Sequence, residues 1–325
     1  MHKPSWFKDD EVLISFAPTC GIYKKGDELF KIDPKTGKRT KELDDLLRAD
    51  VAAAVSGEST ETMRWVPAEE IKSSTPVVPV YFDDRPLEAF EATREKTWPN
   101  YGAVSLGELI AEKQLVVGGG HGSPSSDVRR GTIPYIKVSD IRAGQININP
   151  TNRVPEVVAR LHWGGKTSGL NAFDIVTPNR ASKNIGEVAI VMPGQERVVL
   201  TKEVFVFRPG AKATFDSFFL MWALTLRVVR EQWRRIVFMQ TNREDVGQRY
   251  QEIQIPLPTT QEECEIVAAP FKAYYEGVAK LRQDFLEYLE KDDHHYVFFA
   301  ASAEALVEES LEDDEQEVVS DGTSS

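Results

Sequence analysis

The chain is short of the residues and runs that mark most metalloenzymes, secreted scaffolds and membrane proteins. Its 325 residues include two cysteines, Cys20 and Cys264. Two thiols so far apart make no disulfide framework, which points to a reducing, cytoplasmic setting and to plain packing roles for both. Of the histidines His2, His121, His162, His294 and His295, the last two are adjacent and cannot share a helix face. No HExxH or Cys–His cluster accompanies any of them, so no metal site is expected. Apolar runs are equally brief. The longest, Phe218 to Leu226, stops at Arg227, well short of the roughly 18 residues that signal a membrane span. Met1 to Val12 lacks the apolar centre of a secretory signal. Acidic residues and lysines do not pair at the spacing of a nuclease site, and no catalytic residue is assigned.

Glycine is concentrated in one place, "LVVGGGHGSPSSDVRRGTIPYIKVSDI", Leu115 to Ile141. A nucleotide-hydrolase loop needs Gly, four residues, then Gly-Lys-Ser/Thr; here Gly122 is followed by Ser123 and Pro124. A dinucleotide loop needs GxGxxG opening a helix. Gly118 and Gly120 supply its first half, but Ser123 occupies the third glycine position and strand-forming residues follow. The cluster reads as a tight backbone turn.

The net charge of −12 is unevenly spread. Residues 1–110 carry 15 basic and 20 acidic side chains, 111–250 carry 20 and 12, 251–290 carry 3 and 8, and 291–325 carry 1 and 11. A basic middle inside an acidic chain points to a polyanionic partner for that middle segment. There Arg129, Arg130, Lys137, Arg142, Lys166, Arg180, Lys183, Arg234, Arg235, Arg243 and Arg249 are interleaved with Ser, Asn, Thr and Gln. Asn, Gln and Arg can read base edges, and Lys and Arg bind phosphate. An ordinary solvated surface would have the same composition, so charge alone leaves both readings open.

Four parts follow from the pattern, and the fold class is α+β. Residues 1–100 form a small α/β unit, with a strand at "EVLISFAP", a hairpin at "KKGDELFKIDPKTGKR" and a helix at "KELDDLLRADVAAAV". Pro99 and Gly102 mark a linker. Residues 101–258 are strand-rich, with "IPYIKVSDI", "FDIVTP", "EVAIVMPG" and "RVVLTKEVFVFRPG" bounded by turn residues. The spacing predicts a helix from about Phe215 to Phe238, with Arg227, Arg230, Arg234 and Arg235 able to share a face. Residues 259–291 form a helical stalk. Thr260 and Glu263 make a capping-box signature, and Pro270 can open a second helix. Phe271, Tyr274, Val278, Leu281, Phe285 and Tyr288 recur at heptad spacing, a seam for a partner helix. Residues 292–325 form an acidic tail with too little apolar material to fold.

The order of these pieces resembles a target-recognition domain of the DNA specificity subunit of type I restriction–modification systems. Such domains open with a glycine turn and a Ser/Thr-Pro step, then run into a strand like "IPWIKVSD"; here "GGGHGSPS" precedes "GTIPYIKVSDIRAGQI". The family continues with an apolar-Gly-Asp-Ile strand and a "GKVAI" strand, matched by "LNAFDIVTPNRASKNIGEVAIV". It closes on "IPLPPLxEQxxI" entering a long helix, matched by "IQIPLPTTQEECEIV". The match runs from about residue 101 to 290. Ala172-Phe173-Asp174 replaces the Gly-Asp step, Glu263 replaces a glutamine, and one domain and one stalk stand where full-length members carry two of each. Residues 1–100 more weakly resemble the C-terminal extension of type I-like adenine DNA methyltransferases ("APTCGIYKKGDELFKIDPKTGKR"), without the NPPY or Gly-rich motifs of those enzymes.

The resemblance implies a non-catalytic subunit that binds double-stranded DNA and directs a partner adenine methyltransferase, and a restriction or translocase subunit, to a site. It implies DNA-backbone positions for Ser123, Ser125, Arg129 and Arg130, and phosphate contacts from Lys137, Lys166, Lys183 and arginines including Arg142, Arg234 and Arg235. It implies base contacts from Asn179, Arg180, Asn184, Gln240, Asn242 and Arg243. The stalk seam would join a second copy or the methyltransferase. No cofactor is expected in this chain; S-adenosylmethionine belongs to the partner enzyme. Two alternatives stay open: a stand-alone nucleic-acid enzyme with an unrecognised site, and an acidic protein-interaction module that mimics DNA.

Overall fold

The computed structural model describes residues 10–23, 25–71, 76–149, 151–238 and 245–291. Gln240, Asn242, Arg243, His2, His294, His295 and the acidic tail lie outside the described residues.

The first part pairs β1 (Glu11–Ser15) with β4 (Met63–Pro67), Glu11 opposite Pro67. Between them lie β2 (Phe30–Ile32), β3 (Arg39–Leu43) and α1 (Leu46–Ser56). The β2–β3 hairpin turns on Asp33, whose carboxylate accepts from Lys35 N and Thr36 Oγ1, each at 2.8 Å. Asp45 caps α1 by accepting from Arg48 N, and left-handed Gly57 ends it. Asp50 is buried on α1 and accepts the hydroxyls of Ser15, Thr60 and Thr62, so the carboxylate is fully solvated by protein. Its pKa is lowered, because these three bonds outweigh the desolvation that opposes them. A small core of Ile14, Val66, Ile71 and Phe82 closes the unit.

The helix α2 (Arg85–Thr97) follows, and its Phe90 lies in the main core with Leu106, Ile175, Phe207 and Phe219. The joint between the two parts is polar. Arg235 extends one nitrogen to Glu252 at 2.9 Å and another toward Asp84 at 3.8 Å, and stacks on Tyr81 at 4.4 Å. Tyr81 donates to Glu252 at 3.0 Å, and Asp84 also pairs with Arg64 at 2.5 Å.

The central part starts with β5 (Gly102–Ser105) and α3 (Leu106–Ala111), where Ser105 and Glu108 form a reciprocal capping box. The strands are β6 (Leu115–Gly119), β7 (Ile133–Ile136), β8 (Ile141–Arg142), β9 (Gly144–Ile146) and β10 (Arg153–Val154). After α4 (Glu156–Trp163) come β11 (Ile175–Pro178), β12 (Ala189–Ile190), β13 (Val199–Leu200) and β14 (Val204–Pro209). They build a six-stranded sheet, β6-β14-β11-β12-β9-β8, and a three-stranded sheet, β10-β7-β13. Each holds one parallel pair, β9 with β12 and β7 with β13. The short strands are the expected β-branched runs, and their inward residues fill a second core of Ile136, Val176, Val191, Leu200 and Val206.

The helix predicted from Phe215 to Phe238 is three pieces: α5 (Ser217–Thr225), α6 (Arg227–Glu231) and α7 (Trp233–Ile236). Leu226 is extended at ψ 131°, and Thr225 Oγ1 donates back to the carbonyls of Met221 and Trp222, closing α5. The arginines therefore share no face. Arg227 pairs with Glu231, Arg230 with Glu187, Arg235 turns into the joint, and Arg234 is exposed.

β15 (Gln254–Leu257) pairs with β5 and leads into α8 (Gln261–Glu290). Gln232 completes β15 from the side, its amide donating to Gln254 O and accepting from Gln254 N, each at 2.8 Å. Thr260 caps α8 at Glu263 N as expected, but Pro270 opens no second helix; α8 runs through it. Nor is the seam one free stripe. The globule takes Cys264, Ala268, Phe271, Tyr275 and Val278, spaced four, three, four and three, so Phe271 and Val278 pack inward. Tyr274, Leu281, Phe285 and Tyr288 face outward. Among the described residues no helix is long and apolar enough to cross a membrane.

Candidate nucleic-acid interface

The sheet ends decide which side chains meet. β6 ends where β14 begins, with Gly119 opposite Phe205, and β11 ends there too, with Pro178 opposite Val204. β13 runs parallel to β7, so Leu200 aligns with Ile136 and the next residues, Thr201 and Lys137, emerge together. Thr201 N donates to Ile136 O at 2.9 Å. Segments remote in sequence thus converge at one end: the glycine turn 120–123, the step after β7, the loop after β11, and the β13–β14 turn.

Glycine serves close approach here. A Cβ on Gly120 would lie 1.8 Å from Thr201 O, and one on Gly122, at φ +151°, would lie 2.4 Å from His162 Nδ1. With no side chain in the way, Gly120 N donates to Val204 O, and His121 N and Gly122 N both donate to Leu200 O. Ser123 Oγ meets Thr201 Oγ1 at 3.2 Å.

Around this turn the predicted polar residues are held by the fold. Asn179 donates to Lys202 O at 3.0 Å, which ties the β11 loop to the β13–β14 turn. Arg180 pairs with Glu203 at 2.7 Å and reaches Asp245 at 3.5 Å. Lys137 Nζ donates to Asn152 at 2.9 Å. Arg129 donates to Pro124 O at 2.8 Å and lies over the Tyr135 ring at 5.0 Å. Asn184 donates to Val138 O and Ile141 O, each at 3.2 Å, fastening the loop after β11 to the loop that carries Lys137. Arg249 donates to Ile236 O and stacks on Phe238 at 4.1 Å.

The structure therefore brings Ser123, Lys137, Asn179, Arg180, Lys183 and Asn184 to one end, with Arg129 beside Lys137. Arg142 lies in β8, at the opposite edge of the same sheet. Lys166 lies in the loop after α4, which contacts the glycine turn through Ser168 and His121. Ser125, Arg130, Arg142, Lys166, Lys183 and Arg234 are exposed, and the charged ones make no ion pair among the described residues. Arg235 does not belong to the face; it is half-buried in the joint.

One cation was missed. Lys202 is exposed at the β13–β14 turn, beside Asn179 and the glycine turn, with no ion pair among the described residues. Its signal lay in the polar Thr201-Lys202-Glu203 step between two strand runs, a turn that crosses from the three-stranded sheet to the six-stranded one.

Burial pushes the Cys264 thiol up to about 11 and the Tyr275 hydroxyl up to about 12. Among the described residues no three His, Cys, Asp or Glu side chains gather to hold a metal.

No family model matches the chain, and no curated protein matches it. Solved structures of type I specificity subunits are similar to it. The S subunit of a type I restriction–modification system from M. genitalium is 14% identical, with a TM-score of 0.38 over 59% of this chain and 44% of that one. The HsdS subunit from Thermoanaerobacter tengcongensis is 15% identical, with a TM-score of 0.35 over 69% of this chain and 55% of that one. The type IIG restriction endonuclease BpuSI is 11% identical, with a TM-score of 0.42 over 69% and 33%. The chain thus spans about half the length of those specificity subunits and a third of that endonuclease.

Phe173 adopts φ +67°, in the left-handed region that a bulky side chain rarely enters. Phe173 packs on Phe218 at 4.9 Å, and Asp174 receives Arg208 at 2.6 and 2.5 Å.

Proposed function

We propose that the chain is a non-catalytic DNA-recognition subunit that directs a partner adenine methyltransferase to its target. The observation that carries this reading is the convergence of Ser123, Lys137, Asn179, Arg180, Lys183 and Lys202 at one sheet end. Free ammonium groups there supply phosphate affinity. The Arg180 guanidinium, braced by Glu203, is the candidate reader of base edges, whereas the Asn179 and Asn184 amides spend their N–H groups on backbone carbonyls and frame the turns instead of contacting bases. The bracing matters, since a side chain already held in place loses little freedom on binding.

Base contacts are also assigned to Gln240, Asn242 and Arg243, on the resemblance alone. Methyltransferase contact is assigned to the outward half of α8, with Tyr274, Leu281, Phe285 and Tyr288, and self-association uses the same surface. A restriction or translocase subunit would join the assembled complex. S-adenosylmethionine would be carried by the methyltransferase and not by this chain.

The test is binding to duplex DNA across a salt series, followed by methylome sequencing of cells with and without the chain. The reading expects a linear fall of log affinity with log salt, at about −0.9 per phosphate contacted. It also expects the loss of one methylated motif when the chain is absent. Binding that ignores sequence in both the isolated chain and its methyltransferase complex would overturn it.

A further inference from the structure

We infer that His121 is a positioning residue whose neutral ring locks the glycine turn, β13 and the 164–169 loop together, so that the DNA face is assembled only while the ring is unprotonated. The inference rests on the DNA-recognition reading and adds a proton-dependent device to it.

The geometry fixes the ring's protonation state. Leu200 N donates to His121 Nδ1 at 2.9 Å, so Nδ1 carries no proton. The proton is then on Nε2, which donates to Ser168 O at 2.9 Å. Both ring nitrogens are used, one as acceptor and one as donor. A second proton has no lone pair to occupy except the one that Leu200 N already engages. Protonation would turn Nδ1 into a donor facing another donor.

What the ring joins is the frame of the binding face. Leu200 is the last residue of β13, and Thr201 and Lys202 follow it. Leu200 O also accepts from His121 N and Gly122 N, so the ring and its own backbone grip one residue from both sides. Ser168 belongs to the loop that presents Lys166. Its hydroxyl donates to Glu196 O at 2.5 Å and Arg208 donates to Gly169 O at 3.0 Å, so the ring is one of three ties on the loop.

The surroundings oppose protonation. Burial holds the His121 pKa below its ordinary 6.5, against the Ser168 carbonyl, which favours the charged ring. From α4 the facing titratable group is His162, whose charge also disfavours a second cation. From β13 the ring meets a backbone N–H, and from the 164–169 loop a backbone carbonyl. The charges on these segments are Lys166, Lys202 and Glu203, with the Arg208–Asp174 pair held against Gly169.

The sign is diagnostic. Phosphate-binding lysines and arginines stay charged throughout acidification, and neutralising Glu203 or Asp245 would only strengthen DNA binding. The His121 device predicts the reverse. A folded pKa below the unfolded one means the ordered turn is intact above the unfolded value and is lost as pH falls through the folded one.

The experiment titrates the full chain against a mixed-sequence duplex at fixed ionic strength, from about pH 8 to about pH 5. Wild-type affinity is expected to fall, approaching about tenfold per pH unit below the folded pKa. His121→Asn retains an acceptor for Leu200 N at every pH and should bind with no acid limb. His121→Phe loses both ties and should bind weakly throughout. His162→Asn should keep the acid limb.

A flat wild-type profile, an acid limb that survives in His121→Asn, or one that disappears in His162→Asn would each overturn the inference. Hydrogen exchange of the Leu200 amide, read by NMR without DNA, separates the two layers. Its protection relative to the intrinsic exchange rate should fall on acidification in the wild type and hold in His121→Asn. If no duplex binds at pH 8, the DNA reading falls, and the Leu200 amide alone decides the role of His121.

Discussion

Gly120 and Gly119 are neighbours with opposite demands. A Cβ on Gly120 runs into Thr201 O, while one on Gly119 meets nothing within 4 Å. Gly120→Ala should cost about 1–3 kcal/mol, the range for forcing extra volume into a packed site, and lower the melting temperature. Gly119→Ala should stay within about 0.5 kcal/mol of wild type. The same turn presents Lys202. Lys202→Ala should leave stability unchanged and reduce the salt slope of DNA binding by about one, the signature of one lost phosphate contact. An unchanged slope in anisotropy titrations would remove Lys202 from the face. Charge is legible in a sequence; which cations are already neutralised is not. Arg180 and Lys202 look alike on paper, yet only Arg180 is paired, with Glu203.

At the scale of elements, α8 shows how a period can be right and its facing wrong. The apolar repeat predicts a long helix, and the helix is there. The globule, however, claims the stripe through Tyr275, whose hydroxyl donates to Gly144 O at 3.0 Å, and leaves Leu281 and Tyr288 outside. Pro270 is exposed within this helix and cannot donate to the carbonyl one turn back. Pro270→Ala should therefore stabilise the fold, by up to about 3 kcal/mol, in urea denaturation. The joint between the first and central parts makes the opposite prediction. Arg235 is largely withdrawn from water and pairs with Glu252 while stacking on Tyr81. Arg235→Ala leaves Glu252 with the Tyr81 hydroxyl alone and should destabilise by about 1–3 kcal/mol in the same assay. The predicted helix from Phe215 to Phe238 failed for a related reason: spacing does not register that Thr225 bonds back and closes α5.

For the whole molecule, the decisive feature is the separation of charge. The segment 292–325 holds 11 acidic side chains and no lysine or arginine. Deleting it should leave DNA binding unchanged or tighter, most visibly at low salt, because a competing polyanion is removed. If that deletion abolished binding in gel-shift titrations, the acidic module would be the active part and the recognition reading would fail. The α+β architecture and the order of strands and stalk were readable in advance, because each rests on neighbours in the chain. The convergence of the face was not, because it depends on β7 pairing in parallel with β13 across a long intervening segment.

By itself the sequence determined the local structures: β-branched strand runs, the Ser105 and Thr260 caps, the glycine turn and the basic middle segment. These are decided within a few residues, by sterics and by hydrogen bonds to the adjacent backbone. Only the tertiary structure decided that Leu200 stands against His121, that Lys137 emerges beside Thr201, and which half of α8 stays exposed. Those outcomes belong to strand register and to competition for buried surface, and no stretch of chain carries the information alone.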